Sequence, residues 1–416
     1  MRMAEINPIV VSDSAYDELE QYLRKEAFTN CTVVSDEQTH AAAGAEVAAR
    51  ARAAGLRVRE IVLSPGEVVA DEVRLIEILR QTSPEDELFI AAGSGTITDM
   101  TRFVSFKLGV PFVSCPTAAS VDGFTSIGAP LVLKGIKQTV ISQPPLAMFA
   151  DTNVLCGAPP EMTAAGYGDI IGKITSLADW KIGRLLWNEP YDESIAERTQ
   201  KAIDACVKHR HEIGTGTAAG VEILMHALVE SGLCLVDFGE SRPASGAEHH
   251  LSHFWEMQLL RDGRPAILHG AKVGVATVII AQLYERIASI SREGLAERLA
   301  GVHFPSLSSE KDAIHSAYGS YAEQLIQSSD FLDFDQEKVR EIRERIVKHW
   351  GEIQDIAAAV PKAREVAGLL RDADAPTTAS DLGLSAELEN AAYRYAHYLR
   401  NRFTSVKLAR FLGIHS

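Results

Sequence analysis

Cysteine is scarce in this chain. Cys31, Cys115, Cys156, Cys206 and Cys234 are the only five in 416 residues, an odd number, widely spaced and with no C-x-x-C pair. That pattern supports neither a disulfide framework nor a cysteine zinc site, and it predicts a reducing, cytoplasmic setting. Uninterrupted apolar runs of about 18 residues are also missing, which argues against a membrane span. The opening stretch MRMAEINPIVVSDSAYDELEQYL carries acids where a signal peptide needs unbroken apolar residues. Positive charge is short: 41 Lys and Arg stand against 56 Asp and Glu, a formal charge of −15. Such a body repels phosphate backbones, so nucleic-acid binding is disfavoured, while a local basic patch can still hold a small anion. There is no tandem repeat, no low-complexity segment and no G-x-G-x-x-G fingerprint. What is present, 46% hydrophobic and 7% aromatic residues, is ordinary globular composition. The length exceeds the ~250–300 residues at which single cores stop growing, so two domains are expected.

The two halves differ in texture. CTVVS (31–35), RVREIVLS (57–64), LFIAAG (88–93) and PFVSCPT (111–117) read as short buried strands. They alternate with helical spacing over 67–82 and 96–109, a βαβα rhythm that predicts a parallel sheet covered by helices. PLVLKGIKQTVI (130–141) reads as a hairpin turning at Lys134-Gly135, and LAMFADTNVL (146–155) as the closing strand. Beyond Pro160 the strand signals nearly vanish. The stretches 159–186, 194–213, 273–290, 337–350 and 386–413 read as helices. The expected division is 1–158, an α/β domain, and 159–416, an all-α domain.

Gly93-Ser94-Gly95 lies between a strand and a helix, where small residues let a phosphate approach backbone N–H groups at the positive end of a helix. Thr96 and Thr98 add hydroxyls, and Asp99 falls in the first turn. Ordinary turn chemistry accounts for such glycines equally well. After the next strand, CPTAASVDGFTS (115–126) crowds Thr117, Ser120, Thr125 and Ser126 around the small Ala118 and Ala119. Two such loops at successive strand ends favour a nucleotide, because ligands of open α/β sheets bind there. Asp122, in the second loop, suits a substrate hydroxyl or a turn cap. Asp36, after the first of these strands, suits a ribose or plain solvent.

In the second half, Asp169 and Lys173 are spaced i, i+4, as are His249 and His253, while His269 opens an apolar helix. Each pair taken alone is an ordinary helix-surface contact. Together, two imidazoles and a carboxylate make a sensible set for a divalent ion with an open position for a substrate oxygen.

GSGTITD, PTAASVDGFTS, GYGDIIGK, SRPASGAEHHLSH and LHGAKVG, in this order over about 88–275, resemble the bacterial sn-glycerol-1-phosphate dehydrogenases. That family sits within the iron-containing alcohol dehydrogenase and glycerol dehydrogenase superfamily, with dehydroquinate synthase more distant. The resemblance implies an α/β Rossmann-like N-terminal domain plus an all-α C-terminal domain, with the site in the cleft between them. It implies NAD(H) or NADP(H) held by Asp36, by Gly95, Thr96, Ile97, Thr98 and Asp99, by Thr117, Ala118, Ala119 and Ser120, and by Ser126. It implies one divalent metal ion (zinc or nickel, with iron also compatible) on Asp169, His249 and His269. Asp122, Asp169 and His253 match substrate contacts, with His253 and Asp169 nearest the chemistry. The implied reaction is reversible reduction of dihydroxyacetone phosphate to sn-glycerol 1-phosphate by a homo-oligomer, a dimer or larger. The substrate phosphate needs cations, for which Lys173 and Arg242 stand nearest the motifs, with Lys272 a third candidate. Rival readings are a glycerol dehydrogenase acting on an unphosphorylated polyol, a dehydroquinate synthase-like cyclase, and a non-catalytic nucleotide-binding protein.

Overall fold

The computed structural model describes residues 6–66, 68–329 and 336–415. They form two compact units: residues up to Tyr167 together with Asp204–Asp237, and Gly168–Ile203 together with residues from Phe238 onward.

The first unit is built on eight strands: β1 (Ile9–Ser12), β2 (Asn30–Asp36), β3 (Arg57–Leu63), β4 (Phe89–Ala92), β5 (Phe112–Cys115), β6 (Gly128–Leu133), β7 (Ile136–Ile141) and β8 (Met148–Asp151). Six make a parallel sheet in the order β1-β8-β5-β4-β2-β3. Every residue of β4, β5 and β8 is buried, as parallel strands covered on both faces must be. Side-chain alternation divides the core: Val33, Ile90, Val113 and Phe149 pack on one face with Leu19 and Val47. Val34, Phe89 and Phe112 pack on the other with Ile78, Met100 and Val104. The β6–β7 hairpin turns where expected, through Lys134 and Gly135, both at positive φ, the geometry that matches strand twist in two-residue loops. The 96–109 helix runs Gly95–Leu108 and ends on Gly109 in the left-handed conformation.

Three expectations need correction. β8 does not close the sheet; it lies between β5 and β1, and β1 is the edge strand. The helix expected over 67–82 is confined to Glu72–Leu79, because Asp71 caps it by accepting from the Arg74 amide, and Glu67 lies outside the described residues. The helix expected over 386–413 is three pieces, Ala386–Tyr395, Ala396–Tyr398 and Ser405–Phe411. The Lys407 ammonium donates to the carbonyls of His397, Arg400 and Arg402 and holds the intervening turn.

Every regular element of the second unit's described residues is a helix. Pro160–Trp187, Ala247–Arg261 and His269–Ala288 carry the candidate site. One further helix, Ala218–Phe238 in the first unit, is long and apolar enough to cross a membrane, but more than half of its apolar window is buried within the fold. Glu222 and Glu230 interrupt it.

Two buried imidazoles, His250 and His397, and the half-buried His415 make this unit acid-sensitive. Both ring nitrogens of His250, Nδ1 of His397 and Nε2 of His415 have no hydrogen-bond partner among the described residues. Burial, with Arg402 and Lys407 near the first and Arg410 near the others, holds His250 and His397 well below the usual histidine range and brings His415 down to about 4. The unfolded chain takes up protons at these rings below about pH 6.5 and the native one does not. Stability is therefore full above pH 6.5 and falls toward pH 4, by up to about 1.4 kcal/mol per pH unit for each ring. Urea midpoints across that range are expected to decline, with a shallower slope in His250→Phe.

Candidate functional site

In the first unit, Gly93 and Gly95 bring β4 into its helix with almost no room. A Cβ on Gly93 would sit 2.6 Å from Cβ of Ile97, and one on Gly95 3.0 Å from Val121. Gly95 through Thr98 form the first turn of the helix, leaving unshared amides at its positive end. Thr98 is buried with no hydrogen-bond partner for its hydroxyl among the described residues, and Ile97 packs in the core. Asp99 is turned to another use: Oδ1 accepts from Arg102 at 2.7 Å. Arg102 is fully buried and donates also to the carbonyls of Gly123, Phe124 and Gly128 at 2.6, 3.0 and 2.9 Å. The sequence reading missed this arginine, which ties the first loop to the second.

Thr117, Ala118, Ala119 and Ser120 are all buried. A Cβ on Gly166 would lie 2.0 Å from the Ala119 carbonyl oxygen, so that glycine is what admits the loop. Ser126 donates to the Gly128 carbonyl at 3.2 Å. Asp122 accepts from Ser231 at 2.9 Å. Ser231, 109 residues away in sequence, carries no local signal and was not foreseen. Asp36, at the end of β2, caps the next turn by accepting from the Thr39 amide at 2.8 Å. The strand ends bearing Asp36, Gly93 and Thr117 share one edge of the sheet.

In the second unit, two helices cross at glycines. A Cβ on Gly168 would lie 2.4 Å from the Gly270 carbonyl oxygen, and one on Gly172 2.4 Å from Val273. This close crossing brings Asp169 and His269 together, and the helix Ala247–Arg261 adds His249. One ligand atom from each of Asp169, His249 and His269 lies within 4.8 Å of the others. His249 Nε2 is 3.6 Å from Asp169 Oδ1, and the His249 and His269 rings are 5.3 Å apart. Asp169 is wholly buried, with the Lys173 ammonium 2.5 Å from Oδ1. Burial alone would raise the Asp169 carboxyl, but Lys173 and the two imidazoles override it and hold it well below the carboxylate range. The donor set therefore fits a divalent cation: an ionised carboxylate and two imidazoles that converge, with Asp169 and His249 buried and His269 half-buried.

His253 stacks on His269 at 5.5 Å and faces Glu256, whose Oε2 lies 3.7 Å from Nδ1. The fully buried Lys272 is 3.4 Å from the same oxygen. Arg242 lies on a separate 3-10 turn and is paired with Glu189 at 3.0 Å and with Glu240.

A parallel α/β sheet in one unit and a helical second unit make the architecture of the iron-containing alcohol dehydrogenases, whose family model matches residues 10–159. The crystal structure of glycerol dehydrogenase from Schizosaccharomyces pombe superposes with a TM-score of 0.64 over 99% of this chain and 89% of that one; at 16% identity this speaks for the fold alone. Glycerol-1-phosphate dehydrogenase (NAD(P)+) of Bacillus velezensis is 40% identical over 407 residues, 97% of this chain and 91% of that protein. The protein of the same name from Geobacillus thermodenitrificans is 38% identical over 96% of this chain and 91% of its own length. The chain belongs to the glycerol-1-phosphate dehydrogenase family.

Proposed function

We propose that this chain is an oxidoreductase that reversibly reduces dihydroxyacetone phosphate to sn-glycerol 1-phosphate with NAD(P)H. The reading is carried by the convergence of Asp169, His249 and His269 in a chain that is 40% identical to a relative of that name. The α/β part, up to about residue 158, takes the nucleotide on the 93–99 and 117–126 loops and Asp36. The helical part holds one divalent ion, zinc or nickel, on Asp169, His249 and His269. The ion supplies Lewis acidity toward a substrate oxygen, and the nucleotide supplies hydride.

The remaining work falls to side chains. Asp122, anchored by Ser231, orients a substrate hydroxyl. His253, steadied at Nδ1 by Glu256, holds the proton that the product oxygen takes up, since an imidazole exchanges protons near neutral pH. Arg242, Lys173 and Lys272 are the candidate partners of the phosphate. Of these, Arg242 is the most exposed, although its side chain already pairs with two acids. Arg242→Met is expected to raise KM for dihydroxyacetone phosphate far more than for glycerone, whereas Lys173→Met also strips the counter-charge from Asp169 and is expected to impair both substrates. Equal changes on both substrates in Arg242→Met would defeat its assignment.

Glycerol dehydrogenase remains the second reading, favoured only by the shared fold. We place the enzyme in the cytoplasm as a dimer or larger oligomer, with its product feeding glycerophospholipid synthesis. The deciding experiment is NADH and NADPH oxidation with dihydroxyacetone phosphate and with glycerone, after chelation and readdition of each metal, with chiral analysis of the product. Chelation is expected to abolish turnover while leaving nucleotide binding intact. Turnover that survives chelation, or a preference for glycerone, sinks the proposal.

A further inference from the structure

We infer that Glu248 is a positioning residue for the Asp169/His249/His269 cluster: it fixes the ring of His249 so that Nε2 is presented to the cation, and so raises the cluster's affinity for a divalent metal. This rests on the metal-cluster reading above. Glu248 is fully buried. Its Oε1 accepts from the Gly246 amide at 2.6 Å and from His249 Nδ1 at 2.8 Å, and its Oε2 accepts from the Thr175 hydroxyl at 2.8 Å. The Gly246 amide can only donate, and with the Thr175 hydroxyl and His249 Nδ1 also at hydrogen-bond distance the carboxyl group is pinned at both oxygens.

The consequence for His249 follows from valence. Nδ1 is engaged by Glu248 Oε1, so Nε2 is the ring nitrogen turned toward the cluster, and a neutral ring protonated at Nδ1 carries its lone pair there. That is the nitrogen lying 3.6 Å from Asp169 Oδ1. The ring is held at one end by Glu248 and offers the other to the cluster, the arrangement by which an outer carboxylate sets the tautomer and basicity of a metal-binding imidazole.

The surroundings are shaped for this carboxylate. Thr175 comes from the same helix as Asp169. At Gly246 a Cβ would lie 2.9 Å from Glu248 Oε2 and 2.9 Å from the Ser176 backbone, so no larger residue fits beside it. The purely structural task of capping this helix is shared with another acid: Asp179 Oδ2 accepts from the Ala247 amide at 2.7 Å. Glu248 is thus available to orient the imidazole, which Asp179 does not touch among the described contacts.

The test uses the full chain, stripped of metal and titrated with Zn2+ or Ni2+ against a chromophoric chelator. Glu248→Gln keeps the size of the side chain and removes its charge. It is expected to bind the ion 10- to 100-fold more weakly, the usual effect of losing such a partner, with the metal-free melting temperature and nucleotide affinity near wild type. Thr175→Val removes one support of Glu248 without touching a cluster residue, and is expected to weaken binding roughly threefold to tenfold. It keeps the test decisive if Glu248→Gln does not fold. Wild-type metal affinity in either folded variant overturns the inference and leaves the cluster reading standing. A wild-type chain that binds no ion, or a His269→Ala chain that binds one as tightly, defeats the cluster reading instead.

Discussion

Asp169→Asn is expected to lower kcat/KM for dihydroxyacetone phosphate by on the order of 10³- to 10⁴-fold, as loss of several kcal/mol of metal-borne stabilisation implies. The same change removes the counter-charge 2.5 Å from the buried Lys173 ammonium. Breaking a buried pair from one side costs about 3–5 kcal/mol, far more than the pair contributes when intact. Asp169→Asn should therefore also melt early. Asp169→Asn/Lys173→Met removes both charges and should recover most of that stability while remaining inactive. Thermal melts and steady-state rates on the three proteins check this. A double variant that regains activity would show that Asp169 serves only to neutralise Lys173.

Gly168→Ala should be strongly damaging at the helix crossing beside the metal cluster. Its Cβ would meet the Gly270 carbonyl oxygen at 2.4 Å, where ordinary contact begins at 3.4 Å, so the helices must part by roughly 1 Å. Backbone cannot rotate out of the way as a side chain can. A loss of about 1–3 kcal/mol or more in stability is expected. Metal affinity should fall with it, since Asp169 and His269 are the immediate neighbours of the two glycines. Gly351→Ala is the control: its Cβ meets nothing within 4 Å inside a helix, so it should be neutral or stabilising by up to about 1 kcal/mol. Denaturant midpoints of both variants, with metal titrations of the first, decide the matter. Similar behaviour of the two alanines would mean that the crossing is loose.

The sheet and the helical half were legible because period-2 and period-3.6 patterns are local. β4 and β5 announce themselves as short apolar runs ended by Gly93 and Pro116, and the β6–β7 turn as Lys134-Gly135. β1 escaped because its four residues follow Pro8 at an edge and are only half-buried. The 386–413 stretch looked like one helix because its breaks are made by distant contacts, with Lys407 reaching back to three carbonyls. Spacing supplied the pairs Asp169/Lys173 and His249/His253 but not their meeting with His269, which depends on a glycine crossing between segments about 100 residues apart. Glu248 stood in plain view beside His249, yet its role required Thr175 and Gly246 to be seen around it. Ser231 and Arg102 carry no motif, and their partners lie across folded space.

On the proposed reading of the 117–126 loop as a nucleotide contact, the buried Arg102 has a bearing on how that ligand is received. Its guanidinium gathers three carbonyls of the 123–128 stretch and donates to Asp99 as well. The loop thus takes its final shape during folding, and an arriving coenzyme has little chain entropy left to quench. Association with this part of the molecule should resemble insertion into a finished mould, with small heat-capacity changes and no slow ordering phase.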